Sequence, residues 1–157
     1  MKEQLLIQLA SMKEFFDRST RSLTEEDSTF APHEGMFTAA QQVAHAAQVV
    51  DWFLAGAFAP EGFSMDHESS HKKLMAVTSL GEARAWMDQA CATAKAAIET
   101  RSDAEWGAPM APGPVMGGAP RFTIFGALTD HSAHHRGALT VYARLRGKVP
   151  PMPYLEM

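Results

Sequence analysis

Thr123-Ile124-Phe125-Gly126-Ala127-Leu128-Thr129-Asp130-His131-Ser132-Ala133-His134-His135-Arg136-Gly137-Ala138-Leu139-Thr140-Val141-Tyr142-Ala143-Arg144-Leu145 is the stretch from which the fold can be read. Along it Ile124, Leu128, His131, His135, Leu139, Tyr142 and Leu145 recur at spacings of three and four. That is the interval at which one face of an α-helix returns, so the stretch predicts a helix with one side turned into a core. Gly147 and the prolines at 150, 151 and 153 supply its stop. Two of the inward positions are imidazoles rather than hydrocarbons.

Three further segments carry the same period. Leu5, Leu9, Met12 and Phe16 predict a helix over about residues 2–20, followed by a polar turn at 23–28 and an unpatterned loop to about Met36. Thr38, with Gln41 three residues on, has capping-box spacing and opens a second helix to about Phe58, with Val43, Ala46, Val50, Phe53 and Ala57 inward and Gly56 and Pro60 marking its exit. Residues 61–73 are polar and without clear period, which predicts a loop. Ser79 and Glu82 repeat the capping spacing, and Ala83, Met87, Ala90, Cys91, Ala94 and Ile98 form the inward stripe of a third helix ending near Arg101. Between residues 107 and 120 lie four glycines and four prolines, a composition that forbids regular helix and predicts a long functional or mobile loop just before the histidine helix. Four amphipathic helices without a strand-rich run predict an all-α, four-helix bundle with long loops between helices two and three and between three and four. The length of 157 residues predicts one domain over 1–157, with a proline-rich tail from about residue 148.

Composition removes several function classes. Eighteen acidic against fourteen basic side chains leave a net charge of -4, which gives no general attraction to nucleic acid. The longest apolar run, residues 52–59, is far short of a bilayer span. One cysteine, Cys91, rules out an internal disulfide framework and cysteine-rich zinc modules. With no export-type pattern in residues 1–10, the expected setting is reducing cytoplasm. Cys91 itself, inside an apolar stripe, is expected to be a small buried hydrophobe.

The chemistry lies in the histidines. His131 and His135 are four apart, one turn above each other on the same inward face, where two imidazoles can share a metal ion. Buried imidazoles are costly unless hydrogen-bonded or neutralised, and a divalent ion satisfies ring nitrogens while keeping them uncharged. His45, flanked by Val49 and Trp52 on helix two, is the candidate third ligand, as bundles build metal sites from facing helices. Three histidines would leave a coordination position open, as catalytic sites do. The inward glutamates and Glu-x-x-His pairs of a di-iron bundle are missing. His67 and His71 share the four-residue spacing but sit among Asp66, Glu68, Ser69 and Ser70, which predicts solvent exposure. His134 is a candidate to stand beside the ligands, and His33 is read as surface.

Asp130-His131-Ser132-Ala133-His134-His135-Arg136-Gly137, together with His45 and Trp52 on the upstream helix, resembles the DinB/YfiT family of metal-dependent enzymes. The Thr24-Glu25-Glu26-Asp27 turn and the tail Leu145-Arg146-Gly147-Lys148-Val149-Pro150-Pro151 fall in the same order as in that family, and the likeness spans the chain. After the Arg-Gly pair the family commonly carries glutamine, where this chain has Ala138. The resemblance implies a four-helix bundle, often a homodimer, with a divalent metal held by residues matching His45, His131 and His135. It also implies a transferase or hydrolase acting on a small molecule, with water or a low-molecular-weight thiol as the activated nucleophile. Three imidazoles plus water suit zinc, nickel, iron or copper, and the expectation is zinc first and nickel second. Arg136 is a candidate anchor for an anionic group, Asp51 and Glu34 are candidate bases, and Trp52, Phe122, Phe125 and Tyr142 are candidate pocket walls. The competing readings are a noncatalytic, metal-stabilised bundle acting as a binding or stress-response protein, and a metal-free bundle with hydrogen-bonded core histidines.

Overall fold

The structure, a computed structural model, describes residues 1–155 of the chain. Among these residues it is helical, with one isolated backbone bridge between Pro109 and Pro120 and no strand. Four long helices, α1 (Lys2–Thr20), α2 (Ala39–Phe58), α4 (Leu80–Thr100) and α6 (Ile124–Leu145), form the bundle, and two short ones, α3 (His67–Met75) and α5 (Asp103–Gly107), lie in the connections. α2 packs most closely on α4 and α1 on α6, while α2–α6 and α1–α4 contacts close the ring. Consecutive long helices α1 and α2 therefore lie across the bundle from each other, as do α4 and α6, and the loops must run over the bundle ends. No helix among the described residues is long and apolar enough to cross a membrane.

The periodic side chains do what their spacing predicts. Leu5, Leu9, Met12 and Phe16 of α1, Val43, Ala46, Val50, Phe53 and Ala57 of α2, and the full α4 stripe from Ala83 to Ile98 are buried in one contiguous cluster. Cys91 belongs to it, and burial pushes its thiol up to about 12, so it packs as a hydrophobe. Leu145 departs from expectation: at 60% exposure it is the last residue of the helix and lies outside the core. Thr38 and Gln41 form a reciprocal capping box, whereas Ser79 accepts from the Glu82 backbone without the return bond. Gly56 does not end α2. It sits two residues inside the helix, and a Cβ there would lie 2.3 Å from the Phe63 ring, so the missing side chain lets Phe63 lie directly on the helix.

Two connections differ from the sequence reading. Residues 67–73, expected as loop, are helical and belong to α3, whose Asp66 accepts the Ser69 N–H at the N-terminus and whose Leu74 is the one buried residue. The short α5 is opened by a Ser102–Glu105 capping box and buries Trp106 against Phe58 and Phe125. The long Gly/Pro segment is folded rather than open: Met110 is buried, Arg121 donates to the carbonyl of Ala57, and Gly117 lies so near the Gly113 backbone that a Cβ would be 2.4 Å from its nitrogen.

The turn after α1 fastens the bundle ends. Ser28 Oγ accepts the Leu80 N–H of α4, Glu25 accepts the Gly81 N–H, and the Ser28 carbonyl accepts the Ala40 N–H of α2. Asp27, fully buried, accepts from Arg146 at 3.0 Å, from Lys148 and from the Thr24 N–H. Burial opposes ionisation of this carboxyl, but Lys148, the Thr24 N–H and Arg146 outweigh it and hold it at about 2. Its stabilising contribution is thus complete above the ordinary 3.8 and is lost as pH falls toward 2. Replacing Asp27 by Asn should cost about 2–4 kcal/mol of stability in urea denaturation at pH 7, since two cations lose their carboxylate. A loss within about 0.5 kcal/mol, the range of ordinary surface changes, would show that the clamp contributes nothing.

Candidate metal centre

α2 and α6 lie side by side, and that packing brings the middle of one against the second and third turns of the other. His45 of α2 and His131 and His135 of α6 meet there, with ring centroids 4.4 to 5.2 Å apart and one nitrogen of each within 4.8 Å of the others. The Nε2 atoms of His131 and His135 are 3.2 Å apart. His135 is buried and the other two are half-buried. Burial lowers the pKa of all three, and their mutual repulsion adds to this for the α6 pair, taking His131 to about 4 and His135 to about 3. The cluster is therefore neutral at pH 7, the protonation state in which imidazole offers a lone pair.

Two glutamines one turn either side of His45 orient the rings. Gln42 Oε1 accepts the Nδ1–H of His135 at 2.6 Å, which leaves the Nε2 lone pair of His135 turned toward His131. The same amide donates to the Tyr142 hydroxyl at 3.4 Å, which in turn donates to the Phe37 carbonyl at 2.9 Å. Gln48 accepts from His45 Nδ1 at 3.4 Å and donates to the Ser70 carbonyl of α3 at 2.7 Å. By contrast, the buried Nδ1 of His131 has no hydrogen-bond partner, so internal hydrogen bonding leaves part of this buried polarity uncompensated. A donor set of three neutral nitrogens, two of the rings oriented from behind and without a carboxylate, fits a divalent metal ion.

His45 also lines a pocket of about 170 Å³, together with Gln48, Val49, Trp52, Asp66, His67 and Ser70. α3 and its cap border this pocket through Asp66, His67 and Ser70, while none of the residues lining it comes from the long Gly/Pro loop. Trp52 is held by a 2.8 Å hydrogen bond to the Ser64 carbonyl and by a tilted ring contact with Phe63 at 4.8 Å. His67 and His71 are exposed as expected, though on a helix, and His67 reaches the pocket rim.

Other candidates fall elsewhere. His134 is exposed and stands edge-to-face on His135, 5.0 Å away. Arg136 points to the tail, donating to the Tyr154 hydroxyl at 3.1 Å and lying 6.0 Å from the Phe15 ring, so it does not share the pocket with the triad. Asp51 accepts from Trp86 Nε1 at 2.7 Å, and Glu34 and His33 are exposed in the first loop. Phe125 and Tyr142 are core and Phe122 lies at the far end of α6, leaving Trp52 as the aromatic wall. Gln42 and Gln48 escaped the sequence reading, although their spacing of three from His45 on the same helix face was a usable signal.

Comparison with known proteins agrees with the bundle fold. A family model described as the DinB superfamily matches residues 8–139. Among solved structures, the chain is similar to YfiT from Bacillus subtilis, described as "a probable metal-dependent hydrolase with an unusual four-helix bundle topology". The TM-score is 0.71 at 16% identity, covering 94% of this chain and 88% of that one. No curated protein matches.

Because the folded-state pKa values of the triad lie below the ordinary 6.5, the unfolded chain takes up these protons first on acidification. The triad's contribution is complete above pH 6.5 and declines as pH falls toward 4 and 3. Urea midpoints of metal-free protein should drop between pH 7 and 5, before the carboxylates titrate, and a His131→Gln, His135→Gln variant should show a flatter slope. Equal slopes would contradict the assignment.

Proposed function

The chain belongs to the DinB superfamily, and from that premise we propose that it is a divalent-metal-dependent hydrolase of a small molecule, with zinc held by His45, His131 and His135 and nickel as the second candidate. The observation that carries this reading is the neutral three-imidazole cluster opening through His45 onto a pocket. When bound there, the ion would supply Lewis acidity, lowering the pKa of water or of a thiol to give a nucleophile at neutral pH.

The chain's own residues do the rest. Gln42 and Gln48 fix two of the rings, Val49 and Trp52 exclude water from one side of the pocket, and Ser70 and His67 form its polar rim. A low-molecular-weight thiol is the second reading for the nucleophile, and one observation favours it. Asp66, the carboxylate lining the pocket, has its two oxygens on the Ser69 N–H and hydroxyl, so it is committed to capping α3 rather than free as a base for water.

Protein purified without a polyhistidine tag should contain about one equivalent of divalent metal by elemental analysis, and a His45→Ala, His131→Ala, His135→Ala variant should contain none. Metal absent from both, with none taken up on adding zinc or nickel, would end the enzyme reading. Gln42→Ala should retain the site but weaken metal affinity by about 10- to 100-fold in chelator competition, since it frees the His135 ring. With the metal established, parallel screens of ester or amide hydrolysis and of thiol transfer decide between the nucleophiles.

A further inference from the structure

The triad pocket does not end at Trp52. A second cavity of about 330 Å³ shares Gln48, Trp52 and Ser70 with it and continues between α2, α3 and α4 to Asp51, Lys73 and Trp86. At this far end one indole ring holds two opposite charges. Its Nε1–H donates to Asp51 Oδ2 at 2.7 Å, and the Lys73 ammonium lies 4.1 Å above its face. No ion pair joins Asp51 to Lys73 among the described residues, so neither charge is neutralised by the other. Asp51 follows His45 by six residues on α2, a rise of about 9 Å at 1.5 Å per residue.

Resting on the metal-site reading above, we propose that the cleft takes a substrate with a zwitterionic, α-amino-acid-like end. Its ammonium is received by Asp51 and its carboxylate by Lys73, about 9 Å along α2 from the histidine that faces the reacting group. The apolar middle of such a molecule lies against Trp52, which borders both cavities. The cleft is thus built for an elongated molecule with polar chemistry at both ends. Asp51 and Lys73 act in recognition and do not touch the reacting atoms.

The test uses zinc-loaded protein and three hydroxamates of one chain length, read by calorimetric binding. 2-Aminosuberic acid 8-hydroxamate carries the full zwitterion, suberic acid monohydroxamate the carboxylate alone, and octanohydroxamic acid neither. The zwitterionic probe should bind about tenfold tighter than octanohydroxamate, the scale of one or two charge-assisted hydrogen bonds in a half-open site. That advantage should vanish in an Asp51→Asn, Lys73→Gln variant, in which the Asn carbonyl still accepts from Trp86, while octanohydroxamate binding is unchanged. Equal affinity of all three probes for the parent would overturn this inference and leave the metal reading standing. An advantage shown equally by the carboxylate probe would also overturn it, since Asp51 would then recognise nothing. Failure of every hydroxamate to bind would overturn the metal reading and this inference with it.

Discussion

Three imidazoles kept uncharged inside an apolar bundle are the constraint around which the other features fall into place. Each ring loses part of its hydration, and its buried nitrogen needs a replacement for water. α2 supplies it twice, through Gln42 and Gln48, and both amides pass the polarity outward to groups that are themselves satisfied, the Tyr142 hydroxyl and the Ser70 carbonyl. The third ring retains a buried nitrogen without a partner. Hydrophobic packing sets the frame, but the polar chain from Phe37 to His135 sets the directions of the lone pairs within it.

The same constraint explains the place of α3. It buries one side chain, Leu74, and has little apolar face of its own. It stays beside α2 through the Gln48 bond to Ser70 and through Leu74, and so contributes Asp66, His67 and Ser70 to the pocket. A helix so weakly anchored in the core is suited to line a site, since small adjustments cost little buried area.

The long helices were legible because burial wrote itself into spacing. α1, α2, α4 and α6 begin and end within about two residues of where caps and stripes put them. The triad was legible for the same reason, as His131 and His135 continue an apolar stripe that no exposed residue would need to follow. α3 was not, because His67-Glu68-Ser69-Ser70 carries no period and its helix rests on an Asp66 cap and on the neighbour it lies against. α5 carries a Ser102–Glu105 capping spacing that the sequence reading passed over, and it is too short to show a stripe. The direction of Arg136 was beyond reach, since it is set by Tyr154, eighteen residues further on. Where the long loop packs was not legible, because its glycines and prolines speak of backbone shape and not of the neighbours it meets.

The Asp27 clamp joins residues 119 and 121 positions apart, so it closes about three quarters of the chain of 157 residues into a ring. Closure entropy grows only logarithmically with length, so so wide a ring is not prohibitively harder to close than a much shorter one. A cut in the backbone between Gly113 and Gly118 would therefore leave two fragments that still grip each other through the turn after α1 and the end of α6, in addition to the α1–α6 and α2–α6 contacts. The protein is built so that its continuity does not rest on the peptide bonds of its most irregular loop.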